Sequence, residues 1–222
     1  MSIMMVIYGL AALLLLIKML ALPTLFSEPT AAIVSTLVTE AGIPNAVTGI
    51  LLRNRLYDTI FEVVVFTIAI LGSQYLLANE APLGHVSRFN DQPSIVLARF
   101  GATICSLVCI ELALRGHLSP GGGFAAGVAG GTAIGLVAIT SAPEWLESIY
   151  QRFHAATWEK ISVIVFILCG ASLLMGVELP TGEFGTLLSG GMIPWLNILI
   201  ALKVALGLWA AVLTFIRYRG LL

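Results

Sequence analysis

Apolar residues run along this chain in long blocks, with the polar residues gathered between them. A helix rises about 1.5 Å per residue, so about 20 apolar residues cross a hydrocarbon core about 30 Å thick. Six blocks reach that length: Ile3–Leu22, about Tyr57–Leu77, Ile95–Leu114, about Gly121–Ala142, Trp158–Val177 and Ile193–Ile216. Each is read as a membrane-crossing helix. The first lacks a basic leading region and a small-residue cleavage site, and Lys18 can snorkel at its far end, so it reads as a retained span. Between the first two spans the pattern predicts a short helix, Pro29–Ala41, started by its proline and closed by Gly42-Ile43-Pro44. It is too short to span and is expected to lie at the interface or half-buried against the protein. A seventh span over Ala31–Leu52 would require Gly42 and Pro44 inside it.

Composition agrees with the block pattern. Of 222 residues, 59% are hydrophobic and 10% charged, with a mean hydropathy of +1.01. That is too little charge to cover a water-facing surface, so the expected class is an all-α integral membrane protein. The 11 basic residues do not exceed the 12 acidic ones, which argues against nucleic-acid binding. Cys105, Cys109 and Cys169 lie inside apolar runs, and His85, His117 and His154 are far apart, so no metal or cofactor is expected. The polar, turn-rich stretch Asn79–Pro93 divides a two-span segment, residues 1–93, from a four-span segment, residues 94–222. Six spans return both termini to one side. Arg88, Arg152, Lys160, Arg217 and Arg219 on that side outnumber Arg53, Arg55 and Arg115 on the other, where Lys18 also lies nearby, and the small excess favours cytoplasmic termini.

Charges inside the spans are costly, at roughly 2.5–3.5 kcal/mol each on insertion scales, and they persist where they are paired or line a hydrated path. Lys203 sits near the middle of the last block. It suits either a salt bridge between helices or subunits, or an ion path. Asp58 and Glu62 are one helical turn apart and can share a face, where two carboxylates compete for ionisation and suit cation–proton exchange. Alternatively, Asp58 caps the helix and Glu62 pairs with Arg53 or Arg55. Arg99 and Glu111 lie about 18 Å apart along one helix and cannot pair with each other. Glu111 can instead pair with Arg115, four residues on, while Arg99 needs a partner from elsewhere. His117 is either a titrating group or a polar turn residue.

The third and fourth spans are joined by Arg115-Gly116-His117-Leu118-Ser119-Pro120-Gly121-Gly122-Gly123-Phe124. Gly123, Gly127, Gly131 and Gly135 then recur every four residues, leaving one bare helix stripe for a close-packed neighbour. No strand precedes Gly121-x-Gly123, so it is no dinucleotide loop. No Walker loop or catalytic triad motif is present, and an enzyme is not expected.

The joining segment resembles the Arg-Gly-His-x-x-Pro-Gly-Gly-Gly-Phe signature of the B subunit (MnhB/MrpB) of multisubunit Mrp-type cation/proton antiporters. The likeness covers about residues 94–222. The stretch Arg53-Asn54-Arg55-Leu56-Tyr57-Asp58-Thr59-Ile60-Phe61-Glu62 resembles the C-terminal tail of the large MrpA protein, and the small MbhE-like protein of membrane-bound hydrogenases. The chain thus looks like a fusion of the two pieces. Tyr57 and Phe61 depart from the tail pattern, and Leu196-Asn197 stands where many B subunits have Phe-Asp. The resemblance implies a subunit of a large complex in a prokaryotic cell membrane. The complex would exchange Na⁺ or another monovalent cation for H⁺, with A-, C-, D-, E-, F- and G-like antiporter subunits as neighbours. Asp58 and Glu62 would carry or gate the ion, with Lys203 and Arg99 shaping the field. A redox-driven pump and a non-conducting scaffold are the competing expectations.

Overall fold

A computed structural model describes residues 29–83, 86 and 88–220, together with Leu13, Leu16 and Ile17. The expected first span, Ile3–Leu22, lies outside the described residues apart from those three, which are helical. The chain divides into two compact units, Met1–Ser35 and Thr36–Leu222. The architecture given below is that of the second unit.

The described secondary structure is helical throughout. Helix α1, Pro29–Ala41, has the bounds the sequence predicts and stops at Gly42, whose φ of +67° takes the chain out of the helical region. No span therefore continues through to Leu52. The next apolar run instead makes α2, Ala46–Gly49, which continues into a π-helical turn, Ile50–Asn54. Asn45 caps α2, its side-chain oxygen accepting from the amides of Val47 and Thr48. The Thr59 hydroxyl donates to the Leu51 carbonyl at 2.7 Å, tying the start of α3 to this turn.

Three long helices match expected spans closely: α3, Leu56–Leu77; α4, Gln92–Arg115; and α7, Ala155–Leu174. Asp91 caps α4 by accepting from the Ser94 amide at 3.0 Å, and Pro93 stands in its first turn. The last helix, α8, runs from Ile193 to Arg219. Its final turn carries Arg217 and Arg219, which suits a helix C-terminus. These four are the helices long and apolar enough to cross a membrane among the described residues.

The fourth expected span is shorter than the sequence suggests. Helix α5 covers only Gly123–Ala138, 16 residues or about 24 Å. Gly121 and Gly122, at φ +145° and +119°, hold its start in an extended loop that side chains disfavour, and Pro143 opens a new helix beyond it. The block pattern does not reveal that helix, α6, Pro143–Arg152. It is amphipathic, burying Leu146 while exposing Glu144, Glu147, Gln151 and Arg152. His154, at φ +50°, turns the chain into α7.

Helix α8 is the hub, touching α3, α4, α5, α6 and α7. Around its first half Ile193, Leu196, Ile200 and Val204 meet Leu56 and Val63 of α3 and Phe166 of α7 in one apolar core. Gly123, Gly127 and Gly131 face it from α5. A methyl group at those positions would come within 2.7 Å of Ile200, 2.4 Å of Val204 and 2.3 Å of Leu208. The bare stripe is therefore a helix–helix seam. It ends one step early, because a methyl at Gly135 would meet nothing within 4 Å. Outer faces of α3 and α4 stay apolar and open, with Phe61, Val65, Ile68, Leu97, Phe100 and Leu107 all exposed.

Candidate functional site

Lys203 is fully buried. It has no solvent contact, and its ammonium forms an ion pair with Glu159 Oε1 from α7, whose side chain is 12% exposed. The Phe66 ring of α3 stands 5.0 Å from Lys203 Nζ, a cation–π contact that adds a third helix to the cluster. Gly207, one turn after Lys203, makes the room. A methyl there would lie 2.8 Å from Phe66 and 3.3 Å from both Lys203 Nζ and Glu159 Oε1. Lys203 stands ten residues into α8, about 15 Å from its start. Of the two uses the sequence leaves open, the salt bridge between helices is the one seen. Glu159 escapes a sequence reading because it sits among Trp158, Lys160 and other residues that read as a span edge. The signal that finds it is the need of a mid-span lysine for an acid on a neighbouring span.

Beyond this pair, Tyr150 of α6 packs edge-on against Trp209 of α8, with ring centroids 5.3 Å apart. Burial, and secondarily the negative charge of Glu159, push the Tyr150 phenol up. The same tyrosine lines an open cavity of about 220 Å³ whose polar walls are Gln74, Glu147, Gln151, Thr214 and Arg217. Neither Lys203 nor Glu159 lines it.

A second cluster is built on the glycine-rich loop. Asn45 Nδ2 donates to the carbonyls of Gly116 and Ser119 at 2.8 and 2.7 Å. The Asn45 amide donates to the His117 carbonyl, and the Thr48 hydroxyl to that of Gly116 at 2.9 Å. From the other side Asn197 Nδ2 donates to Leu112 and Ala113, among the last carbonyls of α4, at 3.0 and 2.8 Å. Gly116 is pressed so tightly that a methyl would lie 2.5 Å from the Leu112 oxygen and 2.8 Å from Asn197 Nδ2. Two asparagines, one before α2 and one in α8, thus clamp the loop from two sides. Neither clamp is visible in the sequence, since the contacts join residues more than 70 positions apart. His117 is buried under the clamp. Its Nε2 lies 3.4 Å from the Thr186 carbonyl, its Nδ1 has no hydrogen-bond partner among the described residues, and burial lowers its pKa from the ordinary 6.5.

The remaining expected site residues separate. Asp58 forms an ion pair with Arg55, one turn back, and Arg53 pairs with Glu178 at 2.9 Å. Glu62 makes no ion pair among the described residues; it lines a cavity of about 60 Å³ with Thr48, Thr59, Gly122 and Asn197. Asp58 does not line it. Glu111 pairs with Arg115 at 3.2 Å, both half-exposed. Arg99 is exposed on the outer face of α4 and has no ion pair among the described residues.

Fold and site together define a multi-span helical membrane protein that turns one ion pair into its bundle and keeps broad apolar faces outside. The chain belongs to the family of domains related to the MnhB subunit of Na⁺/H⁺ antiporters, whose family model matches residues 93–210. It is 26% identical over 200 residues to an uncharacterized protein of Methanocaldococcus jannaschii, with 76% of each chain aligned. It is 27% identical over 156 residues to a Rhizobium meliloti protein described as the probable A/B subunit of a K⁺/H⁺ antiporter. That alignment takes in 59% of this chain and only 16% of the much longer relative. Among solved structures, it resembles a chain of the membrane-bound sulfane sulfur reductase, an archaeal respiratory membrane complex. The TM-score is 0.74 at 22% identity, over 96% of this chain and 97% of that one. It also resembles part of the Mrp complex of a Dietzia species, with a TM-score of 0.71 at 19% identity, over 99% of this chain and 26% of that one. At these identities the likeness speaks for the fold.

Proposed function

We propose that this chain is one membrane subunit of a multisubunit complex that exchanges a monovalent cation for protons, and that it contributes the Lys203–Glu159 pair to the charge path. The observation that carries the reading is an ion pair held across helices inside the bundle of an antiporter-family subunit. A charge in this position is expensive, so it is kept where it is used or tightly paired. The two partners differ in access: the lysine is sealed and the glutamate retains some exposure. A proton arriving on Glu159 neutralises it and frees the Lys203 charge. That charge then acts on a cation elsewhere in the path. In this reading Glu62 contributes as a cavity-lining acid, while Asp58 is held by Arg55 as a local element of the helix start. Arg99, outward and without an ion pair among the described residues, meets an acidic group of a neighbouring antiporter-type subunit, with both termini on the cytoplasmic side. Residues 1–93 and 94–222 act as two joined pieces of the assembly.

A second reading, a module of a redox-driven membrane complex, is favoured by the end-to-end likeness to a chain of an archaeal respiratory complex. Mass spectrometry of the subunits that co-purify with the tagged chain distinguishes the two. Cation-dependent proton movement in everted vesicles carrying Glu159→Gln tests the role of the pair. Full exchange with normal complex yield would reduce this chain to a scaffold.

A further inference from the structure

We infer that the outer face of α4 docks a membrane-crossing helix of a different subunit, and that this helix carries a carboxylate at the depth of Arg99. The inference rests on the subunit reading above and names the chemistry of the neighbour. Of the four long helices α4 is the least covered, packing on α5 and, less closely, on α8. Its 24 residues are about 36 Å long, a little more than a hydrocarbon core of about 30 Å. Arg99 is seven residues from its start, which puts its Cα about 7–8 Å below the nearer core boundary when the helix is centred. It is exposed there, and its guanidinium stays charged at any ordinary pH. Thr103 and Ser106 follow at i+4 and i+7, on the same face and also exposed. Their hydroxyls donate back to the carbonyls of Arg99 and Ala102, at 2.9 and 2.8 Å, which leaves each oxygen as an acceptor at the face. Beside this polar line stand Val96, Phe100 and Leu107, each 63% exposed. Val96, Phe100, Thr103 and Leu107 are spaced four, three and four residues apart, the stride of a seam between two packed helices. Arg99 and Ser106 border that seam, where charge selects the partner.

A charge facing lipid tails at this depth is unfavourable, and the group that answers a guanidinium is a carboxylate, through two parallel N–H···O bonds. The arginine stem leans toward the start of α4 and can reach for a lipid headgroup. Thr103 and Ser106 cannot, since they lie about 13 and 18 Å down, the second beyond the middle of the core. Lipid tails offer such a face nothing, whereas hydroxyl-bearing faces are where membrane helices meet. This chain does not supply the acid itself. Residues 1–27 contain none. Lys203 engages Glu159, Arg115 engages Glu111, and Arg55 engages Asp58. Glu62 is six residues into α3, at the other end of the bundle from Arg99. The Leu83 amide bonds to Arg217 and the Phe89 amide to Ile139, so the end of α3 and the start of α4 share one side with the ends of α8 and α5. A second copy lying parallel to the first therefore brings no unengaged span acid to the depth of Arg99.

The test is made in native membranes, with the tagged full chain and the subunits that accompany it. A photo-reactive benzophenone amino acid replaces Thr103, and the cross-linked product is sequenced by mass spectrometry. The expected partner is another subunit, joined through a membrane span that has Asp or Glu within about one turn of the cross-link. Arg99→Glu should then lower co-purification of that subunit by about tenfold or more, because like charges meet, and changing the partner's acid to Arg should restore it. Arg99 is exposed, so an unchanged thermal midpoint of the chain itself separates lost docking from lost folding. The cross-link does not depend on the Arg99 variants folding. A lipid adduct or none at all, a cross-link to a second copy of this chain, a partner span without an acid, or a charge reversal that restores nothing overturns the inference and leaves the subunit reading intact. A chain that purifies without any other subunit removes both.

Discussion

Glu159→Gln and Lys203→Met strand opposite members of the same ion pair, and the structure orders their effects. Removing one partner of a buried pair costs about 3–5 kcal/mol in general. Neutralising the stranded group sets a ceiling. Stripping a proton from an ordinary lysine at about pH 7 costs about 4.6 kcal/mol, and protonating an ordinary glutamate about 3.7 kcal/mol. Lys203 is sealed, so in Glu159→Gln its ammonium reaches no water and the penalty approaches the upper figure. Glu159 keeps some exposure, so in Lys203→Met it takes up a proton or water and the penalty is smaller. Met also fills apolar volume that Phe66 already borders. Glu159→Gln should therefore lose about 3–4.5 kcal/mol, two to three decades in the folding equilibrium, and Lys203→Met about 1 kcal/mol less. The double variant should recover most of the loss, because no charge is left unpaired. The assay is the thermal midpoint and yield of the purified chain with its accompanying subunits, followed by cation-dependent proton movement in vesicles. A double variant that recovers both stability and exchange would make the pair purely structural. Additive losses in the double variant, or a Glu159→Gln protein as stable as the wild type, would refute the burial argument itself.

The glycine seam should respond unevenly. Gly127→Val and Gly131→Val drive atoms into Val204 and Leu208 and should lower chain stability by about 1–3 kcal/mol or more, whereas Gly135→Ala should be neutral or gain up to about 1 kcal/mol, as thermal midpoints would report. Asn197→Asp removes two hydrogen bonds to the end of α4 and brings a charge beside carbonyls. A loss of about 2–4 kcal/mol is expected, and an unchanged melting profile would show that the clamp is dispensable. His117 has a pKa lowered by burial, so between that value and 6.5 the unfolded chain binds more protons than the folded one. Its contribution to stability is full above 6.5 and is lost as pH falls through the lowered pKa. His117→Gln should flatten that part of a stability-versus-pH curve. Arg99→Ala should leave the isolated chain's stability within about 0.5 kcal/mol yet weaken retention of accompanying subunits during purification.

Much of this protein is legible one segment at a time. Block length determines α3, α4, α7 and α8, because a helix crossing lipid must satisfy its own backbone and needs a minimum apolar length to do so. Pro29 and Gly42 mark α1 to the residue, because a proline start and a left-handed stop are local conformational facts. The four-residue glycine spacing announces a packed stripe, and the Glu111–Arg115 pair follows from helical periodicity alone.

Which partner each stripe and charge meets is not local, and only the tertiary structure decides it. Gly131 packs and Gly135 does not, because Leu208 lies against the first and nothing lies against the second. Asp58 and Glu62 share a spacing that suits a paired site, yet Arg55 engages one while the other lines a cavity shared with the glycine loop. Lys203 announces that it needs an acid. Naming Glu159, 44 positions earlier, requires α7 and α8 to be laid side by side with Gly207 opening the gap. Periodicity fixes the face on which a side chain stands. The identity of the opposing atoms depends on helix order, rotation and depth, which are set by packing across the whole bundle.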